Sequence, residues 1–307
     1  MKSRVKAKAS LASLNLQETV SKFIKYLVNV ESCSPLTIKA YRLDLSQAFP
    51  ELKGQEKFTG WSETELLSRA RRALTRWGTL SPASRNRKSA TLKSYFGYLY
   101  KEGLIERDLA GQIPSPKVPR KIPHFLSVDE VLSVLQSFER DPSPEAVGEK
   151  LLFLLLYGGG LRVSEACELR WGDVDFYSHI LRVTGKGNKE RIVALPKSLI
   201  PLLKKTKRQT KGEFVWGREA LNPRVAYDWV RRRGAKAGLL RPVHPHALRH
   251  SFATHLLSSG ANLRTLQELL GHESLQATEK YTHLGVDQLA RTLEQHHPMG
   301  EKHLQKK

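Results

Sequence analysis

Between Val243 and Leu284 the chain sets out a His-x-x-Arg pair, a further imidazole and a phenol. His246 and Arg249 stand three residues apart after Pro245, at the expected start of a helix, so both lie on one face. Arg249 offers a planar fork for two oxygens of a phosphate, and an imidazole titrates near neutrality. Leu270-Gly271-His272 follows, where the glycine reads as a helix C-cap and the histidine comes just past it. Tyr281 lies nine residues on, in the polar stretch Glu273 to Lys280. A free phenol ionises near pH ~10, so a nucleophilic tyrosine needs a base and a cationic pocket. Two further cations precede this stretch. Arg162 follows Gly158-Gly159-Gly160 and opens a short helix, a place suited to an anion. Lys186 sits in Gly185-Lys186-Gly187-Asn188, the tip of an expected hairpin, from which it can reach a ligand and hand a proton to a leaving oxygen. The chemistry that this set suits is attack on a phosphodiester. Taken singly, each residue is also an ordinary exposed arginine, turn lysine, capping histidine or surface tyrosine; the set and its order carry the reading.

A metal centre is the competing use of the histidines. His246 and His250 are four apart, but no His-Glu-x-x-His pattern exists and no third ligand has the right spacing. His250 and His255 are expected to be structural. Neither a metal nor another cofactor is expected.

The elements that must position these residues form two groups. Val20, Phe23, Ile24 and Leu27 share one face of a helix that starts at Leu16. Ser34-Pro35 and Ser81-Pro82 each pair an N-cap with a proline at the first helical position, opening a second helix and a fourth that runs to about Lys101. A third spans Trp61 to Trp77. The fourth begins with Arg85, Arg87 and Lys88, basic first turns expected to bind a polyanion, and continues with Leu92, Tyr95, Phe96 and Leu99 as core. After residue 112 come Pro114, Pro116, Pro119 and Pro123 with Lys117, Arg120 and Lys121, an extended basic connector. Ser127-Val-Asp-Glu130 is a capping-box start, and a helix from Pro144 to Tyr157 leads into the three glycines. The period then changes, and Val174–Phe176, Ile180–Val183 and Ile192–Leu195 read as three short strands. Helices follow Pro196, ending with a short one capped by Asp287 and carrying Leu289 and Leu293. The expected fold is mainly α with a small antiparallel β-sheet. The expected divisions are a basic tail (1–15), a helical domain (16–112), the linker (113–124) and a mixed α/β domain (125–307).

Composition points to the partner. The 307 residues hold 51 Lys and Arg against 30 Asp and Glu, a formal net charge of +21. Residues 1–113 carry 20 basic and 10 acidic residues, and the remainder carries 31 and 20, so both parts are basic. A polyanion is the partner this charge suits. Cys33 and Cys167 form neither a disulfide framework nor a metal pattern, and a reducing cytoplasm fits them. The N-terminus lacks the apolar run of a signal peptide, and the longest apolar run, Leu151 to Tyr157, is too short to span a bilayer, so no membrane is expected.

The ordered set Arg162, Lys186, His246, Arg249, His272, Tyr281 resembles the tyrosine recombinase (phage integrase) family. GGGLRVSEACEL, GKGNKER, HPHALRHSFATHLL and LQELLGHESLQATEKYTH resemble its Xer subgroup, and Val243-His-Pro-His246 with His297-Pro298 leans toward the XerC-like branch. The tail departs from that pattern, reading Pro-Met-Gly at 298–300. The resemblance implies a helical core-binding domain and a catalytic domain that grip double-stranded DNA, with Tyr281 forming a 3′-phosphotyrosyl link. It implies that Arg162 and Arg249 stabilise the phosphate, Lys186 is the acid, His246 the base and His272 an assistant. It further implies a tetramer on two DNA sites with a paralogous recombinase, a DNA translocase as activator, resolution of chromosome dimers, and a C-terminal segment docked on the adjacent protomer. A type IB topoisomerase and a non-catalytic DNA-binding protein are the alternatives. With a first core helix beginning near Leu16, no additional arm-binding domain is expected.

Overall fold

The computed structural model describes residues 15–31, 33–53, 62–118, 125–184, 190–270 and 283–300. The chain divides into two compact units between Lys121 and Ile122. The first holds α1 (Leu16–Asn29), α2 (Pro35–Ala48), α3 (Glu63–Arg76) and α4 (Pro82–Lys101). Each starts on a side-chain cap: Asn15, Ser34, Ser62 and Ser81 accept from backbone N–H groups of the first turn. Ser62 caps α3, so that helix opens after the expected Trp61, which lies outside the described residues. Phe23, Leu45, Phe49, Leu66, Tyr95, Phe96 and Leu99 form the core between the four helices. The Tyr95 phenol is wholly buried, and burial drives its pKa far above the usual tyrosine range; Thr19 shares a 2.6 Å hydrogen bond with it.

The second unit begins with α5 (Val128–Glu139), started by the expected Ser127–Glu130 capping box, and α6 (Pro144–Gly158). Leu151 to Tyr157 are buried on every side, so α6 is the central helix and not an amphipathic one. Next come α7 (Val163–Glu168), β1 (Val174–Asp175), β2 (Ile180–Thr184) and β3 (Glu190–Ala194). The strands form an antiparallel sheet in the order β1-β2-β3, with Val183 opposite Arg191. Then follow α8 (Ile200–Gln209), α9 (Pro223–Lys236), α10 (Pro245–Ser258), α11 (Leu263–Leu270) and α12 (His283–His296). The class is the expected one, mainly α with a small antiparallel sheet. None of the described helices is long and apolar enough to cross a membrane.

The last helix departs from expectation. It begins at His283, so Asp287 lies inside it and not at its cap. Leu289 and Leu293 are buried in the core of the chain's own second unit, together with Met299. Glu294 accepts from the Lys197 N–H at 2.7 Å, and Ser259 donates to the His296 carbonyl at 2.6 Å. The segment expected to dock on a neighbouring protomer is thus seated on its own unit in the single chain. An apolar i, i+4 pair needs a surface, and this unit supplies one.

Candidate active site

Gly160 is where the local sequence dictates the site. Its φ is +60°, and a Cβ there would stand 2.6 Å from the Phe252 ring. Only glycine fits, and the turn it makes ends α6 and sets Arg162 as the N-cap of α7. Glu165, one turn into α7, reaches back and accepts from the Arg162 N–H at 2.7 Å. The same carboxylate accepts from the Arg162 guanidinium at 2.8 Å.

Glu165 is the centre of the site. Its side chain is 3% exposed, and Arg191 on β3 grips it with both prongs of its guanidinium, the Nη2–Oε2 arm at 2.8 Å. Arg249, on α10, brings its Nη1 to 4.0 Å from the same carboxylate. Arg249 also donates Nη1 to the Gly160 carbonyl and Nη2 to the Leu270 carbonyl at 2.6 Å, which leaves other N–H groups of its five for a ligand. Three guanidiniums around one carboxylate leave the cluster positive.

The titration shifts report the same imbalance. Burial alone raises the Glu165 carboxyl, but the Arg191 and Arg162 guanidiniums and the Arg162 N–H outweigh it and hold its pKa at about 2. Burial, with repulsion from Arg162 and Arg191, lowers the Arg249 guanidinium to about 10, against the pull of Glu165. A cation so placed favours an arriving anion.

Arg162 and Arg249 are therefore brought together. His246 lies on α10 one turn before Arg249 and is exposed. Lys186, His272 and Tyr281 lie outside the described residues. Two neighbouring histidines are occupied: His255 Nδ1 meets the Tyr157 hydroxyl at 2.9 Å, and His244 Nδ1 meets that of Tyr227 at 2.8 Å. Burial lowers the His255 pKa. Glu165 and Arg191 are functional candidates that the sequence reading missed. The signal for Glu165 was the Arg162-x-x-Glu165 spacing of a helix start; a lone arginine after a hairpin gave none for Arg191.

The three cations of α4 are placed unequally. Lys88 points inward: its ammonium lies 2.9 Å from Asp44, which is fully buried, and 4.6 Å from the centre of the Trp77 ring. Thr91 donates to the same carboxylate at 2.9 Å, and Arg87, half-exposed, forks onto it as well. The outward, DNA-facing placement expected of Lys88 is corrected here: a buried carboxylate on α2 requires a paired cation, and Lys88 supplies it. Arg85 is partly exposed.

Comparison with known proteins decides the family. Residues 124–287 match the phage integrase family, and residues 20–103 match the phage integrase N-terminal SAM-like domain. The chain is a member of the phage integrase family of tyrosine recombinases. Like other members, it is a DNA strand-transferring enzyme. The recombinase is 36% identical over 308 residues to tyrosine recombinase XerC of Myxococcus xanthus, covering 92% of this chain and 99% of that one. It is 35% identical over 277 residues to a tyrosine recombinase of Thermosipho africanus, covering 88% and 96%. Among solved structures, the recombinase shares its fold with a lambda integrase tetramer bound to a Holliday junction, at a TM-score of 0.66 and 22% identity over 92% of this chain and 86% of that one. It also shares the fold of XerH bound to its difH substrate, at 0.60 and 24% over 90% and 82%.

Proposed function

We propose that the recombinase is site-specific, cutting and rejoining double-stranded DNA through a 3′-phosphotyrosyl intermediate to resolve chromosome dimers with a paralogous partner. The observation that carries the chemistry is the Arg162–Glu165–Arg249 cluster, two guanidiniums held beside one buried carboxylate. The Tyr281 phenolic oxygen attacks the scissile phosphorus and the bond to the 5′ oxygen breaks. His246 takes the phenol's proton, Lys186 gives one to the leaving 5′ oxygen, and His272 assists by hydrogen bonding. Arg162 and Arg249 stabilise the charge on the non-bridging oxygens, a contribution on the order of a hundredfold per donor. The phosphotyrosyl bond conserves the energy of the phosphodiester, so religation needs neither nucleotide nor metal.

The XerC relatives at 34–36% identity support the chromosomal role and a second recombinase. The lambda integrase neighbour, a tetramer on a Holliday junction, supports four protomers on two sites. We assign residues 16–112, within the first unit, to core-site binding through Arg85 and Arg87, residues 113–124 to the linker, and 125–307 to catalysis. A DNA translocase is the activator this reading implies, and DNA as substrate implies the cytoplasm.

The test is covalent trapping. DNA nicked beside the scissile phosphate should leave an adduct that survives denaturant, with Tyr281→Phe abolishing it and EDTA leaving it unchanged. An undiminished adduct in the Phe variant would place the nucleophile elsewhere.

A further inference from the structure

We propose that Arg191 is a positioning residue for strand cleavage: by engaging Glu165 with its own fork, it keeps Arg249 available to the scissile phosphate. The inference rests on the phosphodiester reading above and names a residue that reading does not use.

Glu165 is both necessary and dangerous in this site. It orients Arg162 through two hydrogen bonds. Left alone among cations, it would also compete with the phosphate for them. Arg191 occupies both its oxygens, and Arg249 stands off at 4.0 Å, outside hydrogen-bonding distance. Remove Arg191, and the next guanidinium within reach of the carboxylate is Arg249. A direct Glu165–Arg249 pair would then neutralise the guanidinium that the phosphate needs.

The placement supports a chemical role over a stabilising one. Arg191 is 8% exposed, and its Nε is buried with no hydrogen-bond partner among the described residues. A buried ion pair of this kind is seldom more stable than apolar residues of the same volume. The cross-strand register holds Arg191 opposite Val183. One residue thus ties the β2–β3 pair to the carboxylate that orients Arg162.

The experiment uses the full chain and two nicked DNA substrates. One carries the ordinary scissile phosphate. The other carries a methylphosphonate there, which has no negative charge for the arginines to stabilise. Arg191→Met is expected to bind DNA as the parent does and to cleave the phosphate about tenfold to a hundredfold more slowly. Its cleavage of the methylphosphonate should stay within about threefold of the parent, because a neutral centre needs less of the clamp. Arg191→Lys should recover part of the phosphate rate. The double variant Arg191→Met/Glu165→Gln removes the competing carboxylate charge and should cleave the phosphate faster than Arg191→Met alone. Equal losses on both substrates would show a merely structural role and overturn the proposal, as would a double variant no faster than the single. If Arg191→Met fails to fold, the Arg191→Lys variant decides: a loss confined to the phosphate substrate supports the proposal, and equal losses overturn it. A parent protein that forms no adduct at all would instead overturn the phosphodiester reading beneath it.

Discussion

Glu165 remains charged at a pH where most glutamates have long been neutral, and this has a measurable consequence. Its pKa falls from 4.5 to about 2 on folding, so its stabilising contribution is complete above pH 4.5 and disappears as pH drops toward 2. The contribution is on the order of 3 kcal/mol. Thermal melts should therefore separate Glu165→Gln from the parent at pH 7, with the gap closing below pH 4.5 and gone near pH 2. Arg249→Ala should abolish cleavage while most DNA affinity remains, since many phosphate contacts lie elsewhere. It should also lower stability by about 1–3 kcal/mol, because the Gly160 and Leu270 carbonyls lose their donor. Gel shifts below the melting temperature, paired with melts, separate the two effects. Lys88→Met should destabilise the first unit by about 1–3 kcal/mol, since Asp44 loses one charged partner and keeps Arg87 and Thr91, and leave the salt slope of DNA binding unchanged. At this scale chemistry-bearing residue types are legible in the sequence and their partners are not. Arg162 and Arg249 were legible by motif, whereas Arg191 and Lys88 are defined by carboxylates 26 and 44 positions away, which no local pattern encodes.

The helix starts were readable because capping is local. Ser34-Pro35, Ser81-Pro82 and Ser127–Glu130 each specify a first turn within four residues, and the structure has all three. Helix α12 was misread for the opposite reason. Asp287 is a good cap by type, but the helix is held by Leu289 and Leu293 meeting a core assembled from distant segments, and it extends upstream to His283. The glycine turn joining α6 to α7 combines both kinds of information. Gly160→Ala places a methyl group 2.6 Å from Phe252 and forces a positive φ on alanine. The expected cost is about 1–3 kcal/mol of strain, and the carbonyl that orients Arg249 should move with the turn. Cleavage should fall more than the melting temperature alone explains. A variant that loses stability but cleaves at the parental rate below its melting point would show that the turn does not position Arg249.

For the molecule as a whole, a net charge of +21 on 307 residues makes ionic strength the dominant control of DNA affinity. Between 50 and 200 mM salt the affinity should fall by about a thousandfold or more, with Arg85→Gln flattening the slope. Truncation after Gly285 removes Leu289, Leu293 and Met299 from the second unit's core. Loss of folding stability is therefore the expected result in the isolated chain, read by melting before any assay of synapsis. Arg249 itself has an evolutionary consequence. It straps the turn before α7 and the end of α11 to α10 through two carbonyls, besides the role proposed for it at the phosphate. A descendant gene released from selection for recombination would still be under selection to keep this arginine, for as long as its product had to fold. Retention of Arg249 in a diverged copy is thus a record of inherited architecture, and silent about whether that copy still cuts DNA.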